Sequence, residues 1–249
     1  IQIEQDDKLL AYIPVKDLMN EEYVNSNYVI LCTKQGLIKK TSLEAYSRPR
    51  SNGINAITIV EGDELLSAQL TNGNCEVIMG TREGKAIRFN EKTVRAVGRT
   101  AQGVKAVSLD SDKNEVIGMV CVANPNTDIL VVSEKGFGKR SKLDDYRITN
   151  RGGKGVKTIN ITEKTGDLIA ILGVDNDYDF MIINKSGITI RLRVEDLRVV
   201  GRATQGVKLI NLRGKDEIAA ICSVLKDDED DTPTAEVVNE DMPTDGMED

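Results

Sequence analysis

Two glycines recur together along the chain at a spacing near fifty residues, and no other feature restricts the fold as tightly. Gly36, Gly84, Gly136 and Gly187 each follow an apolar run and a polar turn, at intervals of 48, 52 and 51 residues. Gly53, Gly103, Gly155 and Gly206 form a second series at intervals of 50, 52 and 51. Within each repeat the two glycines are 17, 19, 19 and 19 residues apart. Self-similarity at such a period marks stacked or radial repeats, in which each unit buries its apolar face against the next.

Each repeat reads as four strands. An apolar run comes first, as in Ile129-Leu130-Val131-Val132, and a basic run follows the turn glycine, as in Phe137-Gly138-Lys139-Arg140. Period-2 alternation after the second glycine, clearest from Val156 to Ile161, predicts a third strand. Leu168–Leu172 and its counterparts predict a fourth, each preceded by a polar turn. Four-stranded units of about fifty residues fit the blades of a β-propeller. The expected fold is therefore all-β, with blades over residues 26–70, 73–122, 127–174 and 178–225. Residues 1–15 match the last two strands of a blade, so the chain reads as a leading half-blade of a longer protein followed by four full blades.

Residues 1–225 then form one repeat domain and 226–249 a tail. The tail holds 11 acids, two prolines and few apolar residues, too little to offset the entropy of ordering, and is expected to be disordered. Tethered beside basic loops, it is expected to compete with other polyanions for them. No run of 18 apolar residues occurs, so no membrane partner is expected. Cys32, Cys75, Cys121 and Cys222 stand singly in apolar surroundings, which reads as reduced core thiols and a cytoplasmic location. Histidine is absent, which removes the commonest general base and metal ligand.

The net charge of −7 conceals a strong polarity. Residues 37–55, 85–105, 137–157 and 188–208, the second strand and following loop of each repeat, hold 22 bases and 6 acids. The remainder of residues 1–225 holds 10 bases and 23 acids. A repeat fold places equivalent segments on equivalent edges, so one edge should be positive, the footprint of a polyanion binder. The bases also keep phase. Lys40, Arg88, Arg140 and Arg191 lie four residues after the turn glycine, with Lys39, Lys139 and Arg193 beside them. Arg99, Arg151 and Arg202 lie four before the second glycine, with Arg48 and Arg50 flanking that position in the first repeat. Lys105, Lys157 and Lys208 lie two after it, with Asn55 the exception. In the third repeat the loop reads Arg151-Gly152-Gly153-Lys154-Gly155, where glycines let the backbone approach a phosphate and Arg and Lys supply charge. All these residues are candidate contacts to a phosphate backbone.

The phrases that carry this pattern resemble the C-terminal domain family of the DNA gyrase A subunit, a β-pinwheel. They include Gly36-Leu37-Ile38-Lys39-Lys40-Thr41, Val94-Arg95-Ala96-Val97-Gly98-Arg99 and Gly201-Arg202-Ala203-Thr204-Gln205-Gly206. The resemblance covers essentially all of residues 1–225, and the acidic tail shares it. It implies a non-catalytic module that binds and bends double-stranded DNA through phosphate contacts on a basic outer rim. It also implies a parent type II topoisomerase that supercoils DNA using ATP and Mg2+, with no cofactor in this chain. Implied partners are the rest of the gyrase A subunit and the gyrase B subunit in a heterotetramer. The family box reads Gln-Arg-Arg-Gly-Gly-Lys-Gly in its first blade. Here Arg151 to Gly155 match its last five positions, while Thr149 and Asn150 replace Gln and Arg.

The family's catalytic tyrosine belongs to a cleavage domain outside this chain. Tyr46 and Tyr146 share one place in the repeat with Val94 and Leu197, which predicts packing. The acid pairs Asp6-Asp7, Asp63-Glu64 and Asp144-Asp145 fall in turns or beside basic strands and read as solvated or locally paired. Aromatics are 4%, which disfavours stacking on single strands. Two alternatives stay open, the matching domain of topoisomerase IV and a propeller that serves as a protein-interaction platform.

Overall fold

A computed structural model of the chain describes residues 8–214 and 216–226. The tail beyond Lys226, and the first seven residues of the half-blade, lie outside the described residues. The first repeat forms β1 (Tyr28–Thr33), β2 (Leu37–Ser42) and β3 (Leu65–Thr71). The second forms β4 (Glu76–Thr81), β5 (Lys85–Asn90), β6 (Val104–Lys105) and β7 (Val116–Val122). The third forms β8 (Asp128–Ser133), β9 (Phe137–Lys142), β10 (Val156–Lys157) and β11 (Leu168–Val174). The fourth forms β12 (Tyr178–Asn184), β13 (Thr189–Arg193), β14 (Val207–Lys208) and β15 (Ile218–Leu225). The fold class read from the repeats holds, an all-β chain of four blades.

The predicted hairpins are present. Each turn glycine adopts positive φ, from 77° to 88°, and its N–H donates to the carbonyl three residues back, as from Gly136 to Ser133 at 3.0 Å. This is a three-residue loop closed by a left-handed glycine, which keeps the strands in antiparallel register.

One expectation is corrected. The third strand of a repeat does not join its own blade. The sheet orders are β3-β1-β2-β6, β10-β5-β4-β7 and β11-β8-β9-β14, so each of these blades takes its outer strand from the next repeat. The fourth sheet, β13-β12-β15, has three strands among the described residues. The donated strand is two residues long rather than the six of the alternating run, as in Val207↔Gly138 and Lys208↔Phe137. Residues 54–60, the same stretch of the first repeat, form no strand. Leu9–Ile13 is likewise not a strand, and Leu9 and Tyr12 are exposed. A strand needs a ladder partner, and among the described residues no strand pairs with either stretch.

The second glycine is what admits the donated strand. A Cβ on Gly206, at φ +81°, would fall 2.5 Å from the Gly138 carbonyl oxygen. On Gly155 it would fall 2.4 Å from that of Ala86. Gly206→Ala is expected to cost about 2–4 kcal/mol, combining the left-handed penalty of about 1–2 with the overlap of a fixed backbone. Gly187→Ala has the same sign of φ but open space around the Cβ, and should cost only the first part. Urea unfolding of the two variants checks this, and equal losses would contradict the close approach.

The described chain divides into two compact units. One holds residues up to Pro125 with Tyr146–Val156, and the other holds Asn126–Asp145 with residues from Lys157 onward. In the first, Ile30, Cys32 and Ile38 pack against Val77, Met79, Ile87 and Phe89, one blade upon the next. The other face of β1, Val29 and Leu31, meets Leu43 and Val24. Burial on both faces explains the unbroken apolar run of β1, where a half-exposed strand would alternate. Val24 belongs to α1 (Glu21–Ser26), a short helix whose N-cap Asn20 accepts from the Tyr23 N–H at 2.9 Å. In the second unit, Leu130 and Val132 pack with Phe180, Ile182 and Leu192. Tyr146, Val94 and Leu197 are buried and Tyr46 half-buried, the packing role expected for that place. Cys32 and Cys75 are buried, but Cys222 is exposed on the outer strand β15, which has no further strand beside it among the described residues.

Candidate nucleic-acid interface

The basic positions separate into three kinds once partners are counted. The first kind is neutralised inside the fold. Arg140 Nε donates to Asp128 Oδ2 at 2.6 Å, Arg88 Nη2 lies 2.5 Å from Glu76 Oε2, and Arg191 Nε donates to Asp179 Oδ2 at 2.7 Å. The acid sits twelve residues before its arginine in all three, at the start of the hairpin's first strand. In the first repeat that place is Tyr28. Lys40 instead stands 5.1 Å from the Tyr28 ring and 3.3 Å from Glu91 Oε1. Lys40, Arg88 and Arg140 are buried and Arg191 half-buried. Arg88, Arg140 and Arg191 brace their own hairpins, and Lys40 ties its hairpin to Glu91 of the next repeat.

Lys39 and Lys139 are the second kind. Both are buried, and their ammoniums reach main-chain carbonyls of loops, Lys139 in the next repeat and Lys39 in both its own and the next. Lys139 Nζ donates to Gly201 O at 2.7 Å, while Lys39 Nζ donates to Ala56 O at 2.6 Å and to the Arg99 carbonyl. Loss of hydration pushes their pKa values down, to about 7 at Lys139 and about 8 at Lys39. They position the loops and are not open to a polyanion.

The third kind lies on the loops between the second and third strands. Arg99, Arg151 and Arg202 each grip the loop of the preceding repeat at one repeated place. Their Nη1 atoms donate to the carbonyls of Asn55 at 3.2 Å, Lys105 at 2.9 Å and Lys157 at 2.7 Å. Arg151 Nε also donates to Thr93 O, and Arg202 Nε to Asp145 O. A carbonyl satisfies the guanidinium's donors without cancelling its charge. The residue whose carbonyl is gripped presents its own side chain. Asn55, Lys105 and Lys157 are exposed; Lys208, at the same place in the fourth repeat, is half-buried and lies 6.0 Å from the Phe137 ring. Arg48, Arg50 and Arg193 are exposed.

Three further arginines belong with these, and the sequence reading does not select them. Arg95, Arg147 and Arg198 fall eleven residues after the turn glycine, and all are exposed. The phase arithmetic that picks out the other bases picks them out equally well.

The glycine-rich loop is held along its length. Gly152 N donates to Ala106 O at 2.6 Å, Ser108 N to Gly153 O at 2.9 Å, and Ser108 Oγ to Gly152 O at 2.7 Å. Gly152 is half-buried at φ +85°, Gly153 is exposed, and Gly155 sits against β5. Lys154 is exposed and paired with Asp110 at 2.8 Å. Of the acid pairs, Asp63 caps a turn by accepting from the Gln35 and Glu64 N–H groups, and Glu64 pairs with Lys34 at 2.8 Å.

An all-β chain of strand-donating blades with arginine-gripped basic loops defines a class of repeat domain, and the comparisons identify the family. Residues 27–72, 76–123, 127–175 and 178–223 match the model of the DNA gyrase C-terminal domain, beta-propeller. The chain belongs to this family. Its whole length is 41% identical over 249 residues to the DNA gyrase A subunit of Staphylococcus aureus (strain NCTC 8325 / PS 47) and spans 28% of that protein. Against the strain MRSA252 protein the identity is 42% over 232 residues, 93% of this chain and 26% of the relative. A solved C-terminal domain of DNA topoisomerase IV superposes with a TM-score of 0.81 at 22% identity, covering 90% of this chain and 68% of that one. A DNA gyrase A C-terminal domain superposes at 0.78 and 23%, covering 90% and 73%. At these identities the two structures attest the fold alone.

Proposed function

We propose that this chain is the non-catalytic, duplex-binding and duplex-bending module of a gyrase A subunit. The observation that carries the reading is the phased set of exposed cations on successive loops, Arg95, Arg147 and Arg198 with Lys105 and Lys157. The second, third and fourth repeats place an arginine at the same position, as a polymer with repeating phosphates requires, and phosphate contacts fix position without reading sequence. Sequence preference then comes from how readily a duplex bends. In the parent enzyme, the remainder of the gyrase A subunit, the gyrase B subunit, ATP and Mg2+ supply cleavage and energy in the cytoplasm, and this chain supplies the grip on DNA. The test is fluorescence anisotropy with several duplexes of unrelated sequence but matched length. The Arg95→Ala, Arg147→Ala, Arg198→Ala triple variant should weaken all of them alike, by at least about tenfold at low salt, since each removes a phosphate contact. Undetectable binding by the unaltered chain, or a loss confined to one sequence, would overturn the reading.

A further inference from the structure

Asp110 is the acid that stands within the glycine-rich loop's own charge cluster. Its Oδ1 lies 2.8 Å from Lys154 Nζ, and its Oδ2 accepts from Lys85 Nζ. These two ammoniums hold its carboxyl down at about 2. The loop itself does not depend on Asp110 for its shape, because Ser108, Ala106 and Lys105 already fix Arg151 to Gly153. The cluster is confined to one place in the chain. Where Asp110 stands, seven residues after the second glycine, the other repeats have Val60, Thr162 and Arg213. Where Lys85 stands they have Leu37, Phe137 and Ile188, and where Lys154 stands they have Asn52, Gln102 and Gln205.

We propose that the Asp110 carboxylate occupies the seat of a DNA phosphate between Lys85 and Lys154 and acts as a built-in brake on this loop's grip. This rests on the duplex-binding reading. A carboxylate and a phosphodiester each present two anionic oxygens to a pair of ammoniums, so one substitutes for the other in the seat. Lys154 is 71% exposed, and surface ion pairs of this kind are weak enough for a polyanion to break. Once displaced, Asp110 remains beside the phosphate and repels it. The loop that sets two cations among three glycines is thus also the one whose charge is held back.

The test is a salt series of duplex binding by the 249-residue chain and its Asp110→Asn, Asp110→Glu, Lys154→Ala and Asp110→Asn/Lys154→Ala variants. Asp110→Asn should bind about three- to tenfold more tightly at low salt, with a slope of log K against log salt steeper by about one to two as the two lysines become available. Asp110→Glu should stay close to the unaltered chain. Lys154→Ala should weaken binding more in the Asp110→Asn background than alone. If the unaltered chain binds and Asp110→Asn is equal or weaker, Asp110 only positions the lysines and this inference fails, while the duplex-binding reading stands. If neither binds, both fail together.

Discussion

Between 50 and 200 mM salt, the affinity of this chain for duplex DNA is expected to fall by about 10³- to 10⁵-fold, for contact with about six to ten phosphates. Each phosphate neutralised releases condensed counterions, so the slope counts the protein charges that are still available. The structure says which those are. Arg140, Arg88 and Arg191 each have their charge offset by a carboxylate inside the fold. Arg99, Arg151 and Arg202 face neutral carbonyls and keep theirs, and Arg48, Arg50, Arg95, Lys105, Arg147, Lys157, Arg193 and Arg198 point to solvent. That set is large enough for about six to ten contacts without the buried residues. Anisotropy across the salt range, analysed as log K against log salt, gives the number directly. A flat response would rule out binding by phosphate contacts.

Asp128→Ala is expected to lower stability by about 3–5 kcal/mol, the range for breaking a buried ion pair from one side. The Asp128 side chain is 1% exposed and that of Arg140 is 9% exposed. Asp128 also accepts from Lys142 at 3.1 Å, and the guanidinium's other bond is to Val194 O at 3.1 Å. Removing the carboxylate leaves a buried cation with only a neutral acceptor. By contrast, Lys185 and Glu217 are 64% and 62% exposed, and Lys185→Ala should cost under about 1 kcal/mol although the pair is as short, at 2.6 Å. Urea unfolding measures both, and duplex binding of the folded Asp128→Ala chain should stay within about threefold of the original. A small stability loss joined to tighter DNA binding would instead make Arg140 a restrained phosphate contact.

The distinction between these two arginine populations is partly legible in the sequence. Asp128 and Arg140, Glu76 and Arg88, and Asp179 and Arg191 are each twelve apart across a three-residue turn. Antiparallel register places them as diagonal neighbours on one face, within reach of long side chains. The spacing that repeats the cations also repeats their partners.

By itself the sequence determined the period, the hairpin glycines, the all-β class and the shared packing place of Tyr146 and Val94. These follow from local chemistry: a turn needs a left-handed residue, and a doubly buried strand needs an unbroken apolar run. Tertiary structure decided which blade owns the strand after Gly103, Gly155 and Gly206. It also decided that Lys39 and Lys139 end on carbonyls about sixty residues away. Alternation states that a strand has two faces and two edges but not which edge another strand will take. A lysine's charge reads the same whether its ammonium ends in water or on a carbonyl. Both are settled by long-range neighbours, which exist only after the repeats have packed.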